Sequence, residues 1–245
     1  MGRNNLIFGM HPLLEALEAG REIDKILLKR GLRSDEVNRI MALARERIIP
    51  LQMVPEERLS RLTRGQHQGV IAFVSEIEYT SLEQLIPMIY EQGRSPFVVL
   101  LDGLTDVRNF GAIARTAECA GVDALIIPER GSVSVTADAI KTSAGALHRL
   151  PVCRVSSIAS AVALLQQSGL QVVAASEKAS DLYTETDLRL PLGLVLGAED
   201  HGVSTDVLRM VDHIVRIPQV GAIGSLNVSV AAGILIYEVV RQAKK

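Results

Sequence analysis

The hydrophobic rhythm of the chain changes near residue 96. Before it, short apolar runs alternate with charged helical patterns. Residues 8–20, FGMHPLLEALEAG, carry helical spacing from about Pro12, and Gly20 stops the run. IDKILLK, residues 23–29, reads as a strand with Lys25 and Lys29 on its polar positions. Ser34 suits the N-cap of DEVNRIMALARERI, which has acids in its first turn. Pro55 opens EERLSRL, and HQGVIAFV, residues 67–74, reads as a closing strand. Residues 1–75 thus form a small α/β unit. Residues 76–95 are charged, interrupted by Pro87 and ended by Gly93, and read as a linker.

Residues 96–245 form the second unit. There the predicted strands are nearly continuous Val, Leu and Ile: FVVLLDGL from 97, VDALIIP from 122, LQVVAAS from 170, LGLVLGAE from 192 and HIVRIP from 213. Helical patterns separate them: NFGAIARTAECAG from 109, TADAIKTSAGALHRL from 136, SIASAVALLQQSG from 157 and TDVLRMVD from 205. Such alternation predicts an α/β fold with a parallel sheet covered on both faces. Ligands of these sheets sit beyond the carboxyl ends of the strands. Three polar segments fall there, after Leu101, after Leu196 and after Pro218.

The first segment is DGLTDVRNFGAIARTAECAGV, Asp102 to Val122. Asn109 stands where it could cap the helix. Arg115 follows about two turns in, among Ala112, Ile113, Ala114 and Ala117. A cap and a surface Arg account for both, but a crowded Arg also suits phosphate or carboxylate. The second, LVLGAEDHGVS, Leu194 to Ser204, ends a strand at Gly197, where backbone and ligand can approach closely. Glu199 suits a helix cap or the orientation of a hydroxyl, and His201 reads as solvated. The third, VGAIGSLNVSVAAG, Val220 to Gly233, sets two glycines before Ser225 and Asn227. One N-cap would explain one of those side chains, not both.

Composition narrows the classes. Aromatics are 3% and Trp is absent, which argues against a base-stacking platform. No apolar run reaches the length of a membrane span. The opening MGRNNLIFGMHPLLEAL has no long apolar stretch ending in a cleavage site, and MGRNNL lacks the Ser or Thr of a myristoylation signal. A cytoplasmic protein is expected. Cys119 and Cys153 have no CxxC or His cluster beside them, so they read as buried free thiols, and no metal is expected. The net charge is −2. Residues 1–75 hold twelve Lys or Arg against nine Asp or Glu, a balance of +3; the remainder hold fourteen against nineteen, a balance of −5. A basic unit on an acidic one fits a local nucleic-acid contact, and a difference of this size also arises by chance. The chain has no GxxxxGK[ST], no GxGxxG after an early strand, no GxSxG and no HExxH.

The three segments, in this order and spacing, resemble the signature motifs of the SpoU/TrmH family of RNA ribose methyltransferases, in the SPOUT superfamily. The resemblance covers residues 97–243. FGMHPLLEAL and GQHQGVIA resemble the small substrate-binding domain of the bacterial 23S rRNA guanosine-2′-O-methyltransferase branch. The resemblance implies a deep trefoil knot, a homodimer, S-adenosylmethionine as cofactor and a ribosomal L30e-like small domain. It implies catalytic roles for Asn109, Arg115, Glu199, Ser225 and Asn227. It implies cofactor contacts from Ser176, Glu177, Leu196, Gly197, Gly202, Ile217, Pro218, Ser225 and Leu226. Gln219 stands where Met is frequent in the family.

The expected reaction is methylation of a ribose 2′-hydroxyl, of a guanosine in 23S rRNA. RNA contacts are expected from Arg21, Lys25, Lys29, Arg30 and Arg33, with His67 and Gln68 in a loop. Three other readings compete: a tRNA ribose methyltransferase, a non-catalytic RNA-binding or ribosome-assembly protein, and a small-molecule enzyme on a doubly wound sheet.

Overall fold

A computed structural model describes residues 6–222 and 224–243. The chain divides after Glu78 into two compact units. The first runs β1 (Leu6–Phe8), α1 (Met10–Glu18), β2 (Ile23–Lys29), α2 (Asp35–Glu46), β3 (Leu51–Val54), α3 (Glu56–Leu62) and β4 (Val70–Val74). Its sheet has the order β1-β4-β2-β3, with β4 antiparallel to β1 and β2, and β2 parallel to β3. Strand β2 is buried on both faces, which explains its imperfect alternation. Ile26 and Leu28 pack with Leu13, Leu17, Val37 and Ile40, while Leu27 packs on the other side with Val54, Leu59 and Ile71. Ser34 caps α2 by accepting from the Val37 N–H at 3.2 Å. Strands β1 and β3 are too short to stand out in the hydrophobic pattern.

The second unit opens with β5 (Tyr79–Thr80) and α4 (Leu82–Glu91), inside the stretch that reads as a linker. That reading is corrected by packing. Leu82, Leu85, Ile86 and Ile89 all enter the unit's core, and Pro87 sits within the helix without ending it. The charges of residues 76–95 mask a one-sided apolar stripe. There follow β6 (Phe97–Asp102), α5 (Val107–Ala120), β7 (Ala124–Pro128), α6 (Ala137–Thr142), β8 (Val152–Val155), α7 (Ile158–Gln167), β9 (Gln171–Ala175), β10 (Asp181–Leu182), β11 (Leu192–Gly197), α8 (Thr205–Leu208), β12 (His213–Arg216) and α9 (Val228–Ala243).

Eight strands pair in the order β10-β12-β9-β11-β6-β7-β8-β5, every pair parallel. The central strands are buried on both sides, as their unbroken apolar runs require. Val98, Leu100, Ile126, Val172 and Val195 meet Ile86, Ile158, Val162 and Val207 of α4, α7 and α8. Helix α5 ends at Gly121, in the left-handed conformation with φ 79°, as its sequence implies. The predicted helix over 136–150 stops early instead. Ala144 and Gly145 take positive φ, and a short 3-10 turn, Ala146–His148, replaces the last turns. Helix α8 is likewise one turn, shorter than TDVLRMVD suggests.

Cys153 is buried, but Cys119 is exposed on α5, against the expectation of two buried thiols. Burial, with a smaller contribution from Glu83, pushes the Cys153 thiol up to about 12. A thiol reagent at pH 8 should therefore label Cys119 alone in the folded protein and both cysteines in denaturant. Native labelling of Cys153 would contradict the packing of β8.

At Gly111, α5 lies tight against α6. A Cβ there would lie 2.6 Å from Thr142 Cβ and 3.0 Å from the Ala139 carbonyl oxygen. Ala in a helix interior normally gains about 0.5–1 kcal/mol over Gly. Overpacking costs about 1–3 kcal/mol, so here the clash wins. Gly111→Ala should lower stability by about 1–2 kcal/mol in urea unfolding; a gain would show that the α5–α6 contact yields.

Candidate functional site

Four strand ends build the site. Asp102 at the end of β6 pairs in register with Gly197 at the end of β11. Ala175 of β9 lies opposite Val215 of β12. The sheet reverses direction of growth between β6 and β11: β7 and β8 extend it one way, β9 and β12 the other. Loops leaving such a switch point diverge and leave a crevice. Asp102 pins its wall, accepting from the Ser204 N–H at 2.7 Å.

A cavity of about 380 Å³ lies at these strand ends. Leu196, Ile217, Leu226 and Val228 give it apolar walls; Ser176, Glu177, Lys178, Glu199, Asp200, His201 and Ser225 give it polar ones. Gly197 is required where it stands, because a Cβ would run into the backbone of Gly202 and Val203. Ala198 and Gly202 exchange two backbone hydrogen bonds, at 2.9 and 3.2 Å. That tight turn carries Glu199, Asp200 and His201 to the cavity wall.

The three polar segments meet at one side chain. Asn227 Nδ2 donates to Asn109 Oδ1 at 3.0 Å and to Glu199 Oε1 at 2.6 Å. Its Oδ1 accepts from the Ser229 N–H at 3.0 Å and from Ser229 Oγ at 2.5 Å, capping α9. Asn109 is not the cap of α5. Asp106 takes that position and accepts from the Asn109 N–H at 2.8 Å, which leaves the Asn109 amide free to face Asn227.

Two of the expected site residues lie outside this cavity. Arg115 is exposed, does not line the cavity, and its side chain makes no hydrogen bond or ion pair among the described residues. It lies six residues beyond Asn109, about 120° round the helix axis, so one helix face cannot serve both. Pro218 also stays outside the lining, whereas Ile217 and Gln219 are part of it. The other eight residues expected around a cofactor line the cavity: Ser176, Glu177, Leu196, Gly197, Gly202, Ile217, Ser225 and Leu226. His201, which reads as solvated, and Lys178, which carries no motif, line it too.

The basic residues expected to hold RNA do not form one patch. Lys25 Nζ lies over the Phe73 ring, 4.7 Å from its centroid. Lys29 Nζ is 2.5 Å from Glu56 Oε2. Arg21 precedes β2 and Arg30 follows it, which separates them by about 20 Å of strand. Arg30 and Arg33 share their end of β2 with the loop bearing His67 and Gln68, since the Lys29 N–H donates to the Gly69 carbonyl.

A parallel sheet with a cavity at its switch point, ringed by polar side chains from three loops, defines an α/β enzyme rather than a structural module. Residues 96–237 match the SpoU rRNA Methylase family, and the chain belongs to that family. Residues 6–80 match the RNA 2′-O ribose methyltransferase substrate binding family. A Staphylococcus saprophyticus protein named "Putative TrmH family tRNA/rRNA methyltransferase" is 38% identical over 237 residues, 97% of this chain and 95% of that protein. A Bacillus subtilis protein of the same family name is 34% identical, over 98% and 96%. Among solved structures, the AdoMet-bound rRNA methyltransferase of Sinorhizobium meliloti aligns with a TM-score of 0.61 and 26% identity, over 97% of this chain and 87% of that one. The SpoU methyltransferase AviRb of Streptomyces viridochromogenes, in complex with AdoMet, gives 0.60 and 27%, over 97% and 89%.

Asn227 allows two informative substitutions. Asn227→Ala removes a cap and both donors, and should cost about 1–2 kcal/mol in urea unfolding. Asn227→Asp keeps the acceptor for Ser229 but sets two carboxylates against each other. Like charges raise the proton affinity of that pair in the folded state, so its stability should rise as pH falls from 8 to 5. A wild-type-like pH profile for Asn227→Asp would show that the Glu199 contact is not formed.

Proposed function

We propose that this protein is an S-adenosylmethionine-dependent RNA ribose 2′-O-methyltransferase acting on 23S rRNA, with a guanosine as target. The observation that carries the reading is the Asn227 junction, which joins the three polar loops beside a cavity at the sheet's switch point. Family membership, and the small unit matched to a substrate-binding family, support the choice of RNA.

The cavity suits the cofactor. Leu196, Ile217 and Leu226 would hold a flat purine, and Ser176 and Glu177 would meet ribose hydroxyls. Lys178 and Ser225 would hold the amino-acid end, and Gly197 gives the close backbone approach that a Cβ would block. When bound, the cofactor supplies an electrophilic methyl group, which passes from its sulfonium to the ribose oxygen as the hydroxyl loses its proton.

The chain's own work is to orient that hydroxyl and stabilise the charge it develops. Glu199 Oε1 is held by Asn227, which fixes the carboxylate at the cavity wall with Oε2 left to accept the hydroxyl proton, directly or through water. A guanidinium has a pKa above about 12 and is a poor base. Arg115, exposed and off this cavity, instead clamps the neighbouring phosphate and the developing alkoxide at the site of a partner copy in the proposed homodimer. The reading includes a homodimer, supported by Val230 and Tyr237, half exposed and seven residues apart on α9. It also includes the knot and the L30e-like character of the small unit.

Transfer of labelled methyl to total rRNA and, separately, to tRNA tests the proposal. Ribose label in 23S rRNA should appear, and Arg115→Ala should reduce it by about 10²-fold or more. Arg115→Lys keeps the charge but loses the fork, and should still lose at least about tenfold. Label in tRNA alone would overturn the choice of substrate. Near-full turnover in Arg115→Lys would overturn the bidentate role.

A further inference from the structure

The small unit has a cavity of its own, about 380 Å³, whose lining includes Lys29, Leu32, Glu56, His67, Gln68 and Gly69. Its loop is held in one shape by several independent constraints. Gly69 has φ +80°, and a Cβ there would lie 2.8 Å from Leu32 Cδ2 and 3.2 Å from Lys29 Cβ. Gln68 is a non-glycine residue at φ 50°, a conformation held by its Oε1, which accepts from the Met10 N–H at 3.0 Å. A Cβ on Gly65 would run into the Phe8 ring, so that turn of the loop lies close against it. Backbone in such sparsely populated regions persists where the surroundings fix it, and it clusters at ligand sites.

The polar groups have defined roles. His67 Nδ1 accepts from the Gly69 N–H at 3.0 Å. The neutral ring therefore carries its proton on Nε2, which has only a long 3.4 Å approach to Ser60 Oγ. Lys29 and Glu56 are bonded to each other, and that bond holds the Glu56 carboxyl below its usual range. Both side chains stay partly exposed, and their charges cancel at the edge of the cavity. The interior thus offers ammonium and imidazole donors, a carboxylate acceptor and the Leu32 side chain, with no net charge to attract phosphate. Cations lie around it instead. Arg64 in the loop, and Arg30 and Arg33 at the end of β2, are exposed and form no ion pair with the described residues.

We propose that this cavity takes one unpaired nucleobase of the RNA, read by its edge, while Arg30, Arg33 and Arg64 hold the flanking phosphates. Every base presents both donors and acceptors on its edge, which suits a cavity with both kinds of group; a phosphate presents acceptors only. The inference rests on the RNA methyltransferase reading for its ligand class. It assigns Lys29 and His67, already expected to contact RNA, to the base, and brings in Glu56 and Arg64.

The test is equilibrium binding of the full-length protein to a fluorescent twelve-residue RNA that is abasic except for one central guanosine, against the same strand abasic throughout. The guanosine strand should bind at least about tenfold tighter. His67→Ala should remove most of that difference without changing the salt slope; Glu56→Gln should remove it too, while freeing Lys29 to raise the slope by up to about one. Arg64→Ala should lower the slope by about one instead. Equal binding of the two strands by the wild-type protein, or discrimination that survives both cavity variants, would overturn the proposal. S-adenosylmethionine binding and methyl transfer to rRNA, measured on the same preparations, separate the two readings. Intact transfer without base discrimination sinks only the cavity. Base discrimination without transfer to any RNA sinks only the enzymatic reading.

Discussion

The side-chain amide of Asn227 has four hydrogen-bonding positions, two donor and two acceptor, and the fold uses all of them. Through the acceptors it starts α9. Through the donors it holds Asn109, in the first turn of α5, and Glu199, from the loop after β11. These residues are 118 and 28 positions away in the chain. No other side chain could replace it without loss. Asp would keep the cap and repel Glu199; Ser would cap but reach only one partner; Gln would move the amide away from the cap.

That junction works because the sheet beneath it is rigid. β6 and β11 are paired over six residues and buried on both faces, so the loops leaving them start from fixed points. Asp102 ties the end of β6 to Ser204, and the tight Ala198–Gly202 turn sets the height of Glu199 above the sheet. Loops on a rigid scaffold are where precise chemistry is normally built. The helices beside the junction are equally constrained, with α5 pressed so closely on α6 at Gly111 that no side chain fits.

Much of this was legible in the residues, for reasons that also explain the failures. The buried strands of the second unit announce themselves because both faces need apolar side chains, as in FVVLLD and LGLVLG. Their carboxyl ends could then be located, and with them the three polar segments. Elements too short for a pattern, such as β1, β3 and β5, left no signal. Helix α4 was hidden because its exposed face is charged and contains Pro87, whereas its buried face is complete. Three-dimensional pairing was the larger gap. Sequence spacing shows Lys29 as a free cation, and only the fold places Glu56 beside it. Equally, spacing groups Arg115 with Asn109, and only helical geometry separates them. The signal that could have found Lys178 and His201 was position alone, since each follows the end of a strand that borders the crevice.

In the proposed reaction the methyl group goes to a ribose oxygen presented to the Asn227 junction. Mass spectrometry of nucleosides released from rRNA after incubation with the protein and S-adenosylmethionine examines this most directly. The account predicts a methylated guanosine whose added mass stays with the sugar when the glycosidic bond is broken, and its disappearance with Asn227→Ala. A methyl group that stays with the base, or a sugar methyl that persists in that variant, would contradict it.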